Sequence, residues 1–192
     1  MMLKQCPTLG CCGLDCGMCP AYYTDGPSRC PGCGGEDFFE KHPSCSYITC
    51  CVKNRGLEVC AQCEEYPCPK FEGASDGPDI KTTAKRVLHN QQFIQDFGIA
   101  KFMEQQDLRM EMLRGMLEHY NDGRSKTFYC LAATLLSVEG LNKALAEVDQ
   151  IVQLESVGQN DLKSRAKILK GILTRQADKE GEVLKMRKGK QS

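Results

Sequence analysis

Cysteines in the first third of the chain have the spacing of metal ligands. The stretch CCGLDCGMCP places Cys12, Cys16 and Cys19 in a C-x3-C-x2-C spacing, and two further C-x2-C pairs follow it. Two thiolates that are two residues apart can both reach one ion from a single tight turn. Thirteen of the fourteen cysteines lie between Cys6 and Cys68. In a chain kept reduced, this clustering predicts metal ligation rather than disulfides.

The segment around Cys30 and Cys33 has the composition of a zinc knuckle. It reads CPGCGG, in which proline fixes φ after the first cysteine and glycine permits a positive φ after the second. Backbone N–H groups can then point at the sulfurs, so zinc is the predicted metal. Iron–sulfur clusters use the same thiolates. Two motifs that end in Cys-Pro, C-x3-C-x2-C-P and C-x2-C-x4-C-P, leave a [4Fe–4S] centre as the alternative.

A larger pattern joins these motifs. Residues 11–71 contain CGLDCGMCPAY, CPGC, a C-x4-C pair and GLEVCAQCEEYPCPKF. This order resembles the DUF3795 family of uncharacterised prokaryotic proteins, whose pattern has a CGLxCxxCxAY opening, a CxGC pair and a CxxCxxYPC close. Residues 120–136, YNDGRSKTFYCLAATLL, are similar to a segment of its longer members. The resemblance implies a metal-binding module of prokaryotic origin and implies no reaction.

Ten cysteines match the family pattern and are the predicted metal ligands: Cys12, Cys16, Cys19, Cys30, Cys33, Cys45, Cys50, Cys60, Cys63 and Cys68. They would form two four-ligand sites with two spare thiols, or three sites if other ligands join. Cys6, Cys11 and Cys51 lie outside the pattern and, with Cys130, are expected not to bind metal. His42 is the only histidine in this segment. As a lone histidine on a polar loop, it is expected to be a surface residue rather than a ligand.

Catalytic alternatives find less support in the sequence. Radical-SAM enzymes also use a C-x3-C-x2-C spacing, but they need a partial α/β barrel, and here helical patterns follow with no βα alternation. The sequence contains no Ser-His-Asp set, paired-carboxylate motif or complete P-loop, since GRSKT lacks the Gly-Lys-Ser/Thr order. A binding or adaptor protein that contains zinc is therefore favoured over an enzyme. The alternative function is an iron–sulfur redox or sensor protein.

The second part of the chain has the periodicity of helices. From Pro78 onward glycine and cysteine become rare, and apolar residues recur at helical spacing. We expect a bundle of about five helices. The first two helices are predicted over residues 80–98, ending at Gly98, and 102–120. The third, 126–136, is predicted to be capped by Ser125, and the fourth by Ser137. The fifth is predicted to begin at Asn160 or Asp161.

The predicted fold class is mainly α, with a division in residues 71–79, FEGASDGPD, where Gly, Ser and Pro cluster. Residues 1–72 are expected to form a small, irregular, metal-stapled cysteine module with little regular structure. Residues 78–176 form the helical bundle, and residues 177–192 form a basic polar tail that frays. Because the module has few large apolar residues, we expect its fold to depend on the metal.

Charge argues against a nucleic-acid partner. Residues 1–69 contain five Lys and Arg against eight Asp and Glu, and each four-thiolate zinc site would add about two further negative charges. Nucleic-acid binding needs Lys and Arg that face phosphate. The partner therefore stays unassigned, with a protein as the open possibility. The sequence has no apolar leader and no run of about 18 apolar residues, so we expect a cytoplasmic protein with no membrane association.

One candidate site lies outside the cysteines. Arg124, Ser125 and Lys126 stand at the predicted start of the third helix, where free backbone N–H groups and the positive end of the helix dipole could bind an anion. The alternative is that Ser125 only caps the helix and that Cys130 is a small buried residue in an apolar helix. A phosphate or a carboxylate is the predicted ligand of the first alternative.

Overall fold

The computed structural model describes residues 3–42, 44–73, 79 and 81–187. These residues are mainly α-helical and contain no β-strand; an irregular cysteine-rich region of short 3-10 turns precedes the helices. The predicted fold class is confirmed. Two compact units are present. The described residues up to Glu104, with Met186 and Arg187, form the first, here called the cysteine unit, and Gln105–Lys185 form the second, the helical unit.

Short turns make up residues 3–73 of the cysteine unit. The helix α1 is a single turn, Phe38–Lys41, and Ile48–Asn54 form a π-helical turn. The 3-10 turns are Cys16–Met18, Gly26–Ser28, Cys60–Gln62 and Pro69–Phe71. Glycine and proline are frequent here, and both limit longer regular elements.

Two small clusters of buried side chains support these turns. The first contains Cys11, Cys33, Phe38, Ile48 and Cys51. The second is built on Leu9 and Val59 and is completed from the long helix that follows: Ile94 and Phe102. Three of the five residues in the first cluster are cysteines, so thiols occupy positions that aliphatic side chains fill in most cores.

The long helix α2, Val87–His119, is interrupted at Gly98, where φ is 85° and ψ is 163°. Glycine adopts a positive φ without the steric cost that a Cβ would add. The predicted break between two helices at Gly98 is therefore confirmed. A 3-10 turn, Ala84–Arg86, precedes α2, and the predicted start at Ile80 lies outside the described residues.

Three further helices complete the fold: α3, Lys126–Leu135; α4, Val138–Leu154; and α5, Leu162–Glu180. The Ser137 hydroxyl accepts a hydrogen bond from the Gly140 N–H at 2.9 Å. The Asp161 carboxylate accepts one from the Ser164 N–H at 3.1 Å. Both side chains satisfy N–H groups that have no partner within the first helical turn. The predicted cap at Ser137 is confirmed, and so is the predicted start of the fifth helix at Asp161.

The predicted cap of α3 is wrong. Ser125 precedes α3, but its hydroxyl makes no capping bond to the helix backbone. It donates instead to the Asp122 carboxylate at 2.5 Å. A hydrogen bond to a charged acceptor is stronger than one between neutral groups, so the carboxylate orients the hydroxyl.

Leucine and alanine side chains form the core of the helical unit. Leu141 of α4 and Leu169 of α5 are fully buried, and α4 packs along α5. Arg109 closes the end of α3, since its Nη1 donates to the carbonyls of Ala133 at 2.8 Å and Leu136 at 2.5 Å. These carbonyls lie in the last turn of α3, where no further backbone N–H can reach them.

The cysteine unit extends beyond the predicted module of residues 1–72. Ile94 and Phe102 of α2 are buried in the cluster around Leu9 and Val59, and the boundary between the compact units follows Glu104. Helical periodicity in this segment predicts the helix, but it does not show which core the apolar face covers. Residues 74–78 of the predicted linker lie outside the described residues.

The expectation of a frayed tail is wrong for its first part. Helix α5 continues to Glu180, and Arg187 binds Asp79 within the cysteine unit. The Arg187 N–H donates to Asp79 Oδ2 at 2.6 Å, and its Nε donates to Oδ1 at 2.9 Å. Burial disfavours the charged form of this carboxyl group, but the hydrogen bonds from Arg187 outweigh it and lower the pKa of Asp79.

Replacing Leu141 with alanine tests the packing of the helical unit. Leu141→Ala should lower the free energy of unfolding by about 2–5 kcal/mol, because it removes a fully buried side chain and leaves a cavity. Leu154→Ala is the matched control in the same helix, since Leu154 is 84% exposed. Urea unfolding followed by circular dichroism measures both. Equal losses in the two variants would contradict this description of the core.

Candidate metal centre

The ten predicted ligands line two cavities in the cysteine unit. The larger has a volume of about 390 Å³ and is lined by six of them: Cys12, Cys16, Cys19, Cys30, Cys33 and Cys45. The smaller, of about 30 Å³, is lined by the remaining four: Cys50, Cys60, Cys63 and Cys68. The sequence predicted the set but not this division. Cys45 and Cys50, which are neighbours in the pattern, line different cavities of this pair, and both also line a third cavity of about 780 Å³.

Each cavity is lined by a C-x2-C turn, and the two turns have the same backbone geometry. The Cys19 N–H donates to the Cys16 carbonyl at 3.1 Å, and the Cys63 N–H donates to the Cys60 carbonyl at 2.9 Å. Cys19 and Cys63 share a φ of −81° and a ψ of 133°. In both turns the N–H of a tyrosine three residues later donates to the second cysteine's carbonyl. The repeated C-x2-C-x2-Y is the sequence signal that could have indicated two equivalent sites.

The third pair, Cys30 and Cys33, forms a turn fixed by the N-terminal segment. Gly34 has a φ of 69°, as its place after the pair predicts. The Cys33 N–H donates to the Pro7 carbonyl at 2.7 Å. A Cβ at Gly32 would lie 2.3 Å from that same carbonyl oxygen, so only glycine permits this approach. Both cysteines line the larger cavity.

Cys11 and Cys51, which were expected not to bind metal, connect the two groups of thiols. Cys11 lines the larger cavity and Cys51 the smaller. The Cys11 side chain is hydrogen-bonded to those of Cys33 and Cys51. Cys51 is also hydrogen-bonded to Cys60. These four thiols form a continuous chain of contacts, here called the thiol row, and no spacing rule could have indicated it.

The other two cysteines outside the predicted ligand set lie elsewhere. Cys6 packs against the cluster around Leu9 and Val59, and Cys130 is fully buried in α3 of the helical unit. Neither lines the two cysteine cavities. That these two thiols do not bind metal stays a prediction.

Burial sets the protonation of thiols at the larger cavity. It raises the pKa of Cys12 to about 12 and that of Cys16 well above its ordinary value, and the nearby Cys33 adds to both effects. A buried thiol without a cation keeps its proton, because a lone thiolate would be poorly solvated. A metal ion displaces that proton, since it binds the thiolate directly. These thiols suit a metal better than they suit free-thiolate chemistry.

A buried cation stands beside the thiol row. Lys4 is 3% exposed; its Nζ donates to the Glu58 carbonyl and lies 3.2 Å from Glu58 Oε1. The hydrogen bond with Cys11 lowers the pKa of Cys33, and the charge of Lys4 contributes to this shift. Hydrogen bonds with Cys11 and Cys60, and again Lys4, lower the pKa of Cys51. Lys4 therefore offsets negative charge that forms on these sulfurs.

Arg55 has a similar position at the smaller cavity. Its Nη1 donates to the Sγ of Cys63 at 3.2 Å, and its Nη2 lies 2.6 Å from Glu65 Oε2. A charged N–H donor on a ligand sulfur orients that sulfur and offsets its charge. The carboxylate in turn holds the guanidinium in place.

Two side chains of α2 hold the first cysteine loop. Asn90 Nδ2 donates to the Gly13 carbonyl at 2.9 Å, and Gln91 Nε2 donates to the Cys11 carbonyl at 3.1 Å. Both side chains are buried, and Gln91 is fully so. The sequence analysis placed residues 80–98 in a separate helical bundle and did not identify this contact. An Asn-Gln pair near the start of a helix is too common a pattern to have indicated this contact.

The thiols line the cavities without converging on a point. Across the described parts of the chain, no group of three or more His, Cys, Asp or Glu side chains is arranged so that it could hold a metal ion. The donor set nevertheless fits one in its chemistry, because it consists of soft sulfur ligands, and a metal ion displaces the thiol protons when it binds. Cysteine has one χ angle with three staggered positions, so a thiol on a cavity wall can turn inward by a single rotation.

The candidate anion site at α3 has a carboxylate of the chain beside it. Asp122 accepts hydrogen bonds from the Arg124 N–H at 3.0 Å and from the Ser125 hydroxyl, and it lies 3.7 Å from the Nζ of Lys170. Ser125 and Cys130 are fully buried. Anion binding by Arg124, Ser125 and Lys126 stays a prediction, and an incoming anion would have to compete with this carboxylate.

No protein-family model, curated protein or solved structure matches the chain. The resemblance to the DUF3795 family therefore stays a prediction that rests on the cysteine motifs. Among the described residues, no helix combines the length and apolar character needed to cross a membrane.

The contact between the first cysteine loop and α2 is tested at Gly13. A Cβ there would lie 2.6 Å from the Val87 carbonyl oxygen, and the residue has a φ of 93°. Gly26 is the matched control, since it also has a positive φ, 71°, but nothing lies within 4 Å of its Cβ position. Both alanine variants incur about 1–2 kcal/mol of backbone strain, and only Gly13→Ala must also displace α2. Thermal unfolding should show a clearly lower midpoint for Gly13→Ala, and equal midpoints would contradict the contact.

Proposed function

We propose that this protein binds metal through cysteine thiolates at two sites of the cysteine unit and acts as a binding or adaptor protein. One observation carries the proposal. The ten cysteines with ligand spacing divide between two cavities, and each cavity has the same C-x2-C-x2-Y turn at its wall. A packing role alone does not require two copies of one cysteine turn beside two groups of thiols.

Zinc suits the smaller cavity. A volume of about 30 Å³ is the space of one water molecule, and so of one ion. Four thiols line it, the number that a tetrahedral zinc site needs: Cys50, Cys60, Cys63 and Cys68. Zinc bound there would supply a cross-link between the π-helical turn and residues 60–68. Such links replace the apolar core that small domains lack.

The larger cavity supports a second site and leaves its metal open. Its six predicted thiols exceed the four that one zinc ion takes. Its volume of about 390 Å³ also favours a second candidate, a [4Fe–4S] cluster held in part by Cys12, Cys16 and Cys19. A cluster needs more space than a single ion and the same thiolate donors. In that case the protein would be a redox or sensor protein.

The surroundings of the sites agree with a cytoplasmic protein whose partner is not nucleic acid, and a protein partner stays the open possibility. All fourteen cysteines are free thiols, the state that the cytosol maintains. The excess of acidic residues in residues 1–69, with the negative charge of thiolate sites, would repel phosphate. We assign the chain to a DUF3795-like group on the cysteine motifs alone.

Metal content tests the proposal. The purified protein should contain at least two equivalents of zinc. Cys60→Ser should lower the zinc content by about one equivalent, since a four-thiolate site that loses one thiolate binds zinc poorly. Cys6→Ser is the matched control, because Cys6 lines neither cysteine cavity. Elemental analysis measures all three proteins. A wild-type protein that holds no metal after anaerobic purification would refute the proposed function.

Removal of the metal should unfold the cysteine-rich turns and leave the helices of the helical unit folded. A strong chelator should abolish ordered structure in residues 3–73, because few large apolar side chains hold them, while α3, α4 and α5 stay folded. Hydrogen exchange with and without chelator measures this. Protection that is unchanged in residues 3–73 would show that the cysteine unit folds without metal.

Colour and iron content decide between the two metals. Zinc has no visible absorption in thiolate sites, so the zinc protein should be colourless. A brown protein with iron and acid-labile sulfide would assign a cluster to the larger cavity and a redox or sensor role to the protein. An anaerobic preparation, its visible spectrum and its iron and zinc contents give the answer.

A further inference from the structure

His42 lies at the wall of the larger cavity, where the sequence alone predicts a surface residue. Its Nε2 is 3.5 Å from the Sγ of Cys30, and both residues line the cavity. The ring stacks on Phe38, with centroids 4.7 Å apart and planes at 29°. The His42 backbone N–H donates to the Phe38 carbonyl at 2.9 Å. Because Phe38 is buried, this stacking holds the imidazole beside the thiol.

The spacing around His42 completes a ligand pattern. Residues 30–45 contain C-x2-C-x8-H-x2-C, formed by Cys30, Cys33, His42 and Cys45, and all four residues line the larger cavity. Three thiolates and one imidazole make one of the standard tetrahedral zinc sets. Helix α1 occupies the second half of the interval between Cys33 and His42, and its last residue precedes His42.

We propose that His42 Nε2 is a metal ligand that shares an ion with Cys30, and that Cys33 and Cys45 complete a Cys3His site. This inference rests on the proposed metal binding and names a nitrogen ligand within it. The cavity then has enough donors for more than one centre, because Cys12, Cys16 and Cys19 are left for another metal. The competing account is a plain hydrogen bond between a thiol and an imidazole, which needs no metal.

Two variants of His42 and one control separate these accounts. His42→Ala should lose about one equivalent of zinc, because three thiolates remain at the site. His42→Cys should retain the zinc and convert the site to four thiolates. His119→Ala is the control, since His119 has an exposed side chain in the helical unit. In protein loaded with Co²⁺, the visible spectrum reports the change of donor: it should shift in His42→Cys and stay as in wild type in His119→Ala.

The outcomes are distinct for the two proposals. A wild-type protein with no metal refutes the proposed function and this inference with it. A wild-type protein that holds metal, with a His42→Ala variant of the same metal content and the same Co²⁺ spectrum, refutes the inference alone. If His42→Ala unfolds, His42→Cys decides: retained zinc with a shifted spectrum supports ligation, and loss of zinc or an unshifted spectrum contradicts it.

Discussion

Burial of thiol groups is the constraint on which the cysteine unit depends. Cys11, Cys33 and Cys51 are packed with only two apolar residues in its first buried cluster. A thiol is small and contributes less apolar area than leucine or isoleucine. A thiolate, in contrast, cannot be buried without a positive charge nearby. Any thiolate that forms in this unit therefore needs a cation near it, and Lys4 and Arg55 provide two such charges beside the thiol row and the smaller cavity.

The helical unit is stabilised in a different way. Its core consists mainly of aliphatic side chains, with methionine and tyrosine, that are almost fully buried. Burial of each large apolar side chain contributes about 1.5–3 kcal/mol, and the helix ends are closed by Ser137, Asp161 and Arg109. The two units thus differ in what holds them together, since apolar burial dominates in one and thiols occupy much of the buried cluster in the other.

The acid–base properties of the thiols favour binding over catalysis. Catalytic cysteines react as thiolates and sit where their pKa is low and solvent can reach them. Cys12 and Cys16 are partly covered and have raised pKa values. Cys33 and Cys51 have lowered pKa values but are buried in the thiol row. Thiols with these properties bind a cation more readily than they attack a substrate.

Features that depend on a few neighbouring residues could be predicted from the sequence. The break at Gly98, the cap at Ser137, the helix start at Asp161 and the turn at Gly34 each follow from local backbone and side-chain preferences. The ten cysteines taken from the motifs and the family resemblance all line the two cavities, but Cys11 and Cys51, which line them too, were not in the predicted set. The Ser125 cap failed, since one nearby carboxylate offered a stronger partner.

The tertiary structure decided everything that joins distant segments. It divided the cysteines between two cavities, brought Cys11 into contact with Cys51 and placed the side chains of Asn90 and Gln91 on the first cysteine loop. These contacts join residues that are 40 to 80 positions apart, and they depend on the path of irregular loops. Hydrophobic periodicity marks a helix and its buried face, but it carries no information on the path of a chain built from single turns.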